Sequence, residues 1–254
     1  MTLTERQKAC LDAMGIDVWL PKAALAVENV EQETASAVVD DVAPGKPVAI
    51  AEVQPQAEHV TSNADVSALG WEALQTRVAE CRLCELHKTR TQTVFGVGNR
   101  DADWLIIGEA PGADEDRQGE PFVGRAGQLL NAMLQALGLA REDVYIANIL
   151  KCRPPQNRDP KAEEVAHCMP WLQRQIQLIQ PKVILALGRI AAQNLLQTNT
   201  SLGRLRGRLH YIDMTPTPVI VTYHPAYLLR SPLEKRKSWE DLLLAKKTLE
   251  SAAS

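Results

Sequence analysis

The segment WLIIGEAPG, residues 104–112, decides the fold, because a short apolar run passes directly into a turn built from glycine and proline. Four consecutive apolar residues that end at a glycine are typical of a buried β-strand. Three more apolar runs of strand length follow along the chain, at residues 144–150, 183–187 and 219–223.

Segments with helical character lie around these runs, at residues 69–79, 126–137, 161–180, 190–196 and 233–249. Strands that alternate with helices favour a parallel sheet covered on both sides. The sequence therefore predicts an α/β fold, an α-β-α sandwich in which a central parallel four-stranded sheet is flanked by helices on both faces. Ligands of such sheets bind at the carboxyl ends of the strands, and the distinctive motifs of this chain follow predicted strands.

The chain of 254 residues divides into three predicted parts. Residues 1–21 form a short N-terminal segment, residues 22–66 a disordered acidic linker, and residues 67–254 a folded domain. The linker has no aromatic residue, and residues 23–66 hold eight acids and one base, a composition typical of disorder. The Trp-Leu-Pro at 19–21 is either a docking peptide for a partner protein or part of a terminus that folds back, and the sequence leaves both open.

Charge is distributed unevenly along the chain. The formal net charge is −3, but residues 23–66 alone account for −7 and residues 1–22 are balanced, so residues 67–254 carry +4. This basic balance is compatible with phosphate contacts without demanding them. No apolar run approaches the roughly 18 residues that a membrane span needs, and the N-terminus lacks the apolar core of a signal peptide. We therefore expect a cytoplasmic protein with no membrane partner, and a monomer.

The loop after the first predicted strand carries candidate catalytic and binding groups. Its glycines and prolines favour a tight backbone whose N–H groups, around Ala110 and Gly112, can face a ligand. Further along, Phe122 is placed to stack on a planar base. The alternative is a glycine-rich turn that caps a helix, with Phe122 in the core. One of the acids in this loop could polarise a water molecule, and the candidates are Glu109, Asp114, Glu115 and Asp116.

Two further candidates follow later strands. The amide of Asn148 offers a donor and an acceptor side by side, although an asparagine at a strand end also commonly bonds backbone. His224 can donate a hydrogen bond to an oxygen that gains negative charge, and the alternative is a satisfied loop histidine. Just beyond it, Leu228 or Leu229 could insert into a base stack, with Arg230 on a phosphate.

Four cysteines are spaced like a metal site: Cys81, Cys84, Cys152 and Cys168. A Cys-x-x-Cys pair supplies two thiolates to one site, and two more cysteines complete a set suited to zinc or to an iron–sulfur cluster. Spacing does not choose between the two, and four unrelated buried thiols are the remaining alternative. Cys10 stands apart from the set.

These features together resemble family 4 of the uracil-DNA glycosylases, the iron–sulfur branch of that superfamily. The resemblance runs from about residue 71 to residue 239 and leaves residues 1–66 outside. Five segments carry it in the order and spacing of the family, namely residues 80–84, 108–130, 148–155 and 168–172, and the His224-Pro225 loop.

The resemblance implies a role for each segment. The four cysteines would hold a [4Fe–4S] cluster that stabilises loops touching DNA. Phe122 would stack on a uracil flipped out of single- or double-stranded DNA, Asn148 would read the edge of the base, and His224 would hydrogen-bond O2 as the uracil anion departs. Residues 67–254 would then be a uracil-DNA glycosylase domain.

The resemblance leaves the water-positioning acid open. Ala110 stands where another branch of the superfamily has an aspartate, so Glu109 is the first candidate, followed by Glu115 and Asp116. A relative that bonds covalently to DNA carries an inserted basic loop with a histidine, which residues 152–160 lack. The expected activity is therefore hydrolytic turnover, without strand cleavage. The alternatives are a non-catalytic nucleic-acid-binding module with an iron–sulfur or zinc site, and an electron-transfer protein.

Overall fold

The structure, a computed structural model, describes residues 66–252. The predictions for residues 1–21 and, apart from Val66, for residues 22–66, together with the separate position of Cys10, lie outside the described residues. The six strands are β1 (Val97–Gly98), β2 (Trp104–Gly108), β3 (Tyr145–Asn148), β4 (Val183–Leu187), β5 (Leu209–Ile212) and β6 (Thr215–Thr222).

The strands form one mixed sheet in the order β1-β3-β2-β4-β6-β5. The central four, β3-β2-β4-β6, are parallel as predicted. The prediction of a purely parallel four-stranded sheet is wrong at both edges, where β1 and β5 pair antiparallel. β1 is only two residues long and β5 has a single buried residue, Ile212, so neither edge strand leaves a buried apolar run in the sequence.

The helices cover both faces of the sheet. The five that were predicted begin and end within three residues of the expected bounds, and α2, α6 and α7 are additional. None of the helices in the described part of the chain is both long and apolar enough to cross a membrane. The helices are α1 (Trp71–Glu80), α2 (Ala113–Gln118), α3 (Arg125–Ala136), α4 (Ala162–Ile179), α5 (Arg189–Leu195), α6 (Leu202–Leu205), α7 (Pro225–Arg230) and α8 (Lys235–Ala252).

The core lies on both sides of β2 and β4, whose residues are all buried. Successive side chains of a strand point to opposite faces. Leu105 and Ile107 accordingly pack in a cluster with residues of α1, α4 and α5, whereas Trp104 and Ile106 pack with residues of α3 and α8. Burial on both faces explains why the central strands read as continuous apolar runs.

Leu105→Ala should lower the free energy of unfolding by about 2–5 kcal/mol, because it leaves a cavity in a closely packed core. Leu105 is 0% exposed. The matched control is Leu233→Ala at a side chain that is 92% exposed, where a change within about 0.5 kcal/mol is expected. Equal losses for the two variants in urea titrations would contradict this placement of the core.

Candidate active site

A cleft of about 430 Å³ opens at the edge of the sheet where the parallel strands end. It is bordered by the loop after β2, the end of β3, the loop before α4, and the start of α7. The side chains and backbone that line it include Glu109, Ala110, Gly112, Glu115, Phe122, Asn148, Asn157, Arg158, His224, Tyr227 and Arg230. The structure thus brings together candidates that lie more than 100 residues apart in the chain.

Two glycines allow the walls of the cleft to approach each other. A Cβ atom on Gly108, the last residue of β2, would lie 2.4 Å from Oδ1 of Asn148 and 2.7 Å from Cζ of Phe122. A Cβ atom on Gly127 would lie 1.7 Å from the carbonyl oxygen of Phe122. A side chain at Gly127 would therefore collide with the backbone, and one at Gly108 would displace the side chain of Asn148 or Phe122.

Phe122 belongs both to the core and to the cleft. Its side chain is 6% exposed and packs in the cluster beneath α3, and its ring stacks on His224 at a centroid separation of 5.5 Å and an angle of 29°. Its backbone has φ 55°, a conformation that costs energy for a bulky residue. The strained turn thus directs the Phe122 ring towards the cleft, and the core cluster packs against the ring.

Asn148 presents an unsatisfied acceptor. The residue is 2% exposed, and no group among residues 66–252 donates a hydrogen bond to its buried Oδ1. Leaving a buried acceptor without a partner costs about 1–3 kcal/mol. Because Asn148 lines the cleft, a ligand with an N–H group at this point would remove that cost.

His224 is held in one orientation and one tautomer. The backbone N–H of Ala226 donates to its Nδ1 at 3.1 Å, so the proton of the neutral ring is on Nε2. Burial, reinforced by the positive charge of Arg230, lowers the pKa of His224 to about 4. The ring is therefore an uncharged Nε2–H donor at neutral pH, although part of the side chain remains exposed at the cleft.

Glu109 differs from the other acids in its electrostatics. Burial raises the pKa of Glu109 to about 7; the negative charge of Asp159 adds to this effect, and Arg189 opposes it. A carboxyl group with this pKa exchanges a proton near physiological pH, which is a common property of catalytic acids and bases.

Glu115 serves the backbone of the loop. Its Oε1 accepts hydrogen bonds from the N–H groups of Val123 and Gly124, at 3.0 and 3.2 Å, and its Oε2 accepts from Gly112 at 3.1 Å. These bonds hold the turn that carries Phe122. They also occupy the N–H of Gly112, which corrects the expectation that this group faces a ligand.

Asp116 points away from the cleft. It is buried, and both of its oxygens accept from the N–H of Thr91, at 2.9 and 3.1 Å. The expectation that Asp116 is a catalytic candidate is therefore wrong, because the acidic run forms helix α2 and successive helical side chains face different directions. Asp114 pairs with Arg117 on the same helix.

The sequence comparisons agree with this geometry. A family model described as the uracil DNA glycosylase superfamily matches residues 95–244. The chain belongs to this superfamily. It is 50% identical over 169 residues to a type-4 uracil-DNA glycosylase of Archaeoglobus fulgidus, across 64% of this chain and 84% of that protein. For a type-4 enzyme of Thermotoga maritima the identity is 47% over 162 residues, across 63% and 83%.

A type-5 uracil-DNA glycosylase of Pyrobaculum aerophilum is less similar, at 32% identity over 146 residues, across 52% of this chain and 64% of that protein. The type-4 proteins thus match at higher identity over more of their length. The region that the superfamily model matches, residues 95–244, contains all six strands of the sheet, since β1 begins at Val97 and β6 ends at Thr222.

Helix α7 separates the two leucines of this superfamily member that the sequence left as alternatives. Leu228 is 1% exposed and packs inward, whereas Leu229 is 37% exposed. The candidacy of Leu228 for insertion between bases is therefore corrected, since a buried side chain cannot reach a base stack. Arg230 is exposed and lines the cleft.

The four cysteines lie within electrostatic reach of one another. Cys152 and Cys168 are buried and Cys81 and Cys84 partly exposed, and all four are free thiols. Burial raises the pKa of Cys168 to about 12, and the neighbouring Cys152 and Cys81 contribute to the rise. Arg90 donates to Sγ of Cys152 at 2.9 Å.

Sequence reasoning missed part of the cleft wall. Asn157, Arg158 and Tyr227 line the cleft, but none was a candidate. Asn157 has φ 54°, and Arg158 makes a two-bond pair with Glu164 at 2.9 and 2.5 Å. The Pro154-Pro155 step just before them was the available signal, because consecutive prolines mark a loop of restricted conformation.

His224 should remain neutral, with its proton on Nε2, from pH 8 down to about pH 5. Its folded pKa of about 4 lies below the ordinary value of about 6.5, so the ring gains its charge only under more acidic conditions. Nitrogen NMR of labelled protein reports both tautomer and charge. A charged ring at pH 6, or a proton on Nδ1, would contradict the geometry.

Proposed function

We propose that this protein hydrolyses the N-glycosidic bond of deoxyuridine in DNA, releasing uracil and leaving an abasic site. The observation that carries the proposal is the unpartnered Oδ1 of Asn148, a residue that lines the same cleft as His224, with its neutral donor, and Phe122. The relatives named above are uracil-DNA glycosylases, which supports the same activity here.

Recognition of the base follows from the shape and polarity of the cleft. A base must leave the helical stack before its glycosidic bond is reachable, at a cost of a few kcal/mol that is smaller in single strands. Uracil then stacks on Phe122 and donates its N3–H to Oδ1 of Asn148. Cytosine has no hydrogen on N3, so it would leave that acceptor unsatisfied, and discrimination by an unpaired buried group is strong.

Bond cleavage depends on stabilising the departing base. As the glycosidic bond breaks, the sugar becomes oxocarbenium-like and uracil takes on negative charge. The Nε2–H of His224 donates to O2 of the leaving uracil, in a site where surrounding water is largely excluded. Loss of a comparable donor in other enzymes costs about 10²–10³ in rate.

Glu109 positions the water in this proposal. It lines the cleft, unlike Asp116, and within residues 66–252 no backbone N–H donates to its carboxylate as three do to that of Glu115. The carboxylate form orients a water molecule towards C1′ and accepts its proton. No lysine side chain lines the described cleft, so strand cleavage through a Schiff base is not expected.

The wild-type protein should excise uracil from a single-uracil oligonucleotide, and Asn148→Ala should reduce the rate at least about 100-fold, since it removes the acceptor that matches N3–H. Alkali-labile cleavage measures the abasic product. The matched control is Asn131→Ala, at an exposed position of α3, which should excise at the wild-type rate. A cluster-containing wild-type protein that binds DNA without excision would favour a non-catalytic binding module.

Excision should accelerate about tenfold between pH 6 and pH 8 and level off above, because the Glu109 carboxylate becomes fully populated as the pH passes its pKa of about 7. Rates are measured at subsaturating DNA, where ionisation of the free protein governs the profile. Glu109→Gln should be slower and flat over this range.

The control for this profile is Glu163→Gln, an exposed residue of α4 that should leave the curve unchanged. A Glu109→Gln variant that keeps the wild-type pH dependence would transfer the water-positioning role to another group.

We also propose that Cys81, Cys84, Cys152 and Cys168 hold a [4Fe–4S] cluster. A single zinc ion with bonds of about 2.3 Å would draw four sulfurs to within about 3.8 Å of one another. Residues 66–252 contain no group of three or more histidine, cysteine or acidic side chains arranged to hold one ion. A four-iron cluster takes four cysteine thiolates, and the N–H groups directed at the sulfurs of Cys152 and Cys168 suit it.

The cluster, when bound, would tie the loops around the cleft together rather than take part in hydrolysis. Protein purified without oxygen should absorb near about 400 nm and contain roughly four iron atoms per chain. Cys152→Ala should lose this absorbance and unfold at a lower temperature, whereas Cys10→Ala should keep both. Stoichiometric zinc in the purified protein would contradict the assignment.

A further inference from the structure

We propose that the DNA backbone leaves the cleft across the β5 side of the sheet, where Arg204 and Arg208 bind its phosphates. The inference rests on the proposed function and places one flank of the DNA strand on this surface. It also assigns two residues that lie outside the cleft lining.

The register of the sheet places Arg208 at the edge that carries the cleft. β5 runs antiparallel to β6, and Leu209 at the start of β5 pairs with Ile220 near the end of β6. Arg208, one residue before β5, therefore lies beside the carboxyl end of β6, which leads through Tyr223 to His224. Arg204 belongs to the preceding short helix α6.

A chain of ring contacts connects this surface to the cleft. The guanidinium of Arg206 lies over the ring of Tyr223 at 4.4 Å. Tyr223 in turn stacks on Tyr227 at a centroid separation of 5.0 Å, and Tyr227 lines the cleft. The segment 204–208 is thus continuous with the cleft rim.

The backbone of this segment is anchored. Nε of Arg206 donates to Oδ2 of Asp241 at 2.7 Å, and the N–H of Gly207 donates to Oδ1 of the same carboxylate at 3.1 Å. Arg206 also donates to the carbonyl of Lys237. Arg206 is thus held against α8, whereas Arg204 and Arg208 on either side of it are exposed.

The arginines on the two sides of the cleft differ in whether they are paired with carboxylates. On the rim before α4, Arg158 is paired with the buried carboxylate of Glu164, and Arg189 with Asp159 at 2.6 Å. Within residues 66–252, no carboxylate forms an ion pair with Arg204 or Arg208. Unpaired guanidinium groups are available to phosphate oxygens without first breaking an existing pair.

Arg230 extends the unpaired charge to the cleft itself. It is exposed, lines the cleft, and lies close enough to His224 to influence its ionisation. Phosphates on the DNA would then meet Arg230 first and the arginines of segment 204–208 next. Such contacts supply affinity without reading sequence.

The test compares Arg204→Ala, Arg208→Ala and the double variant of the full-length protein with wild type. Single-turnover excision from a single-stranded oligonucleotide with a central uracil separates the half-saturating DNA concentration from the maximal rate. The double variant should need several-fold more DNA for half-saturation at an unchanged maximal rate. The slope of log affinity against log salt concentration should become shallower by about 0.7 for each lost phosphate contact.

The control is Arg77→Ala, which removes the same charge from an exposed position of α1, a helix that packs near the opposite edge of the sheet through Trp71 and Tyr145. It should behave as wild type. Oligonucleotides with uracil at the 5′ or the 3′ end show which flank of the DNA makes the contact. The raised half-saturating concentration of the double variant should persist with one of them and disappear with the other.

Wild-type half-saturation and salt dependence in the double variant would overturn the inference and leave the surface to an acidic protein segment. A defect that persists both with uracil at the 5′ end and with uracil at the 3′ end would also overturn it, because the contact would then not lie on one flank. Failure of the wild-type protein to excise uracil at all would instead sink the proposed function.

Discussion

The pairing of Gly108 with Asn148 is the constraint on which the site depends. These residues are register partners at the carboxyl ends of β2 and β3, and the missing side chain of Gly108 is what leaves room for the Asn148 amide and the Phe122 ring together. Any side chain at Gly108 would displace one of the two. A parallel strand pair thus supplies one recognition group directly and makes space for another.

A buried polar network ties the same strand end to the cysteines. Nζ of Lys151 donates to the carbonyl of Asn148 at 3.0 Å and to Oε1 of Gln175 at 2.6 Å, and Gln175 donates to the carbonyl of Phe95 at 2.9 Å. The backbone N–H of Lys151 is also directed at Sγ of Cys168. Only a few residues separate Asn148 from Cys152, so movement of the cysteine loops would be transmitted to the base-reading amide.

The central sheet could be predicted because burial on both faces leaves continuous apolar runs, whereas the edge strands could not. β5 carries exposed Leu209 and Tyr211, and its pairing depends on β6 rather than on its own pattern. At the site, sequence indicated which loops carry the chemistry but not which side chains face inward. Asp116 and Leu228 were misjudged because orientation within α2 and α7 is decided by tertiary packing.

Burial raises the pKa of Glu109 and lowers the pKa of His224. Both shifts have the same cause, since burial disfavours the charged form of each group. A positively charged His224 would stabilise a uracil anion more strongly, yet it would be a buried, uncompensated charge whenever the cleft is empty. A neutral donor avoids that cost and still gains strength as charge develops on O2 in a poorly solvated site. Glu109, whose pKa burial raises to about 7, is a stronger base than an ordinary carboxylate, and it loses its own negative charge when it accepts the proton of the attacking water.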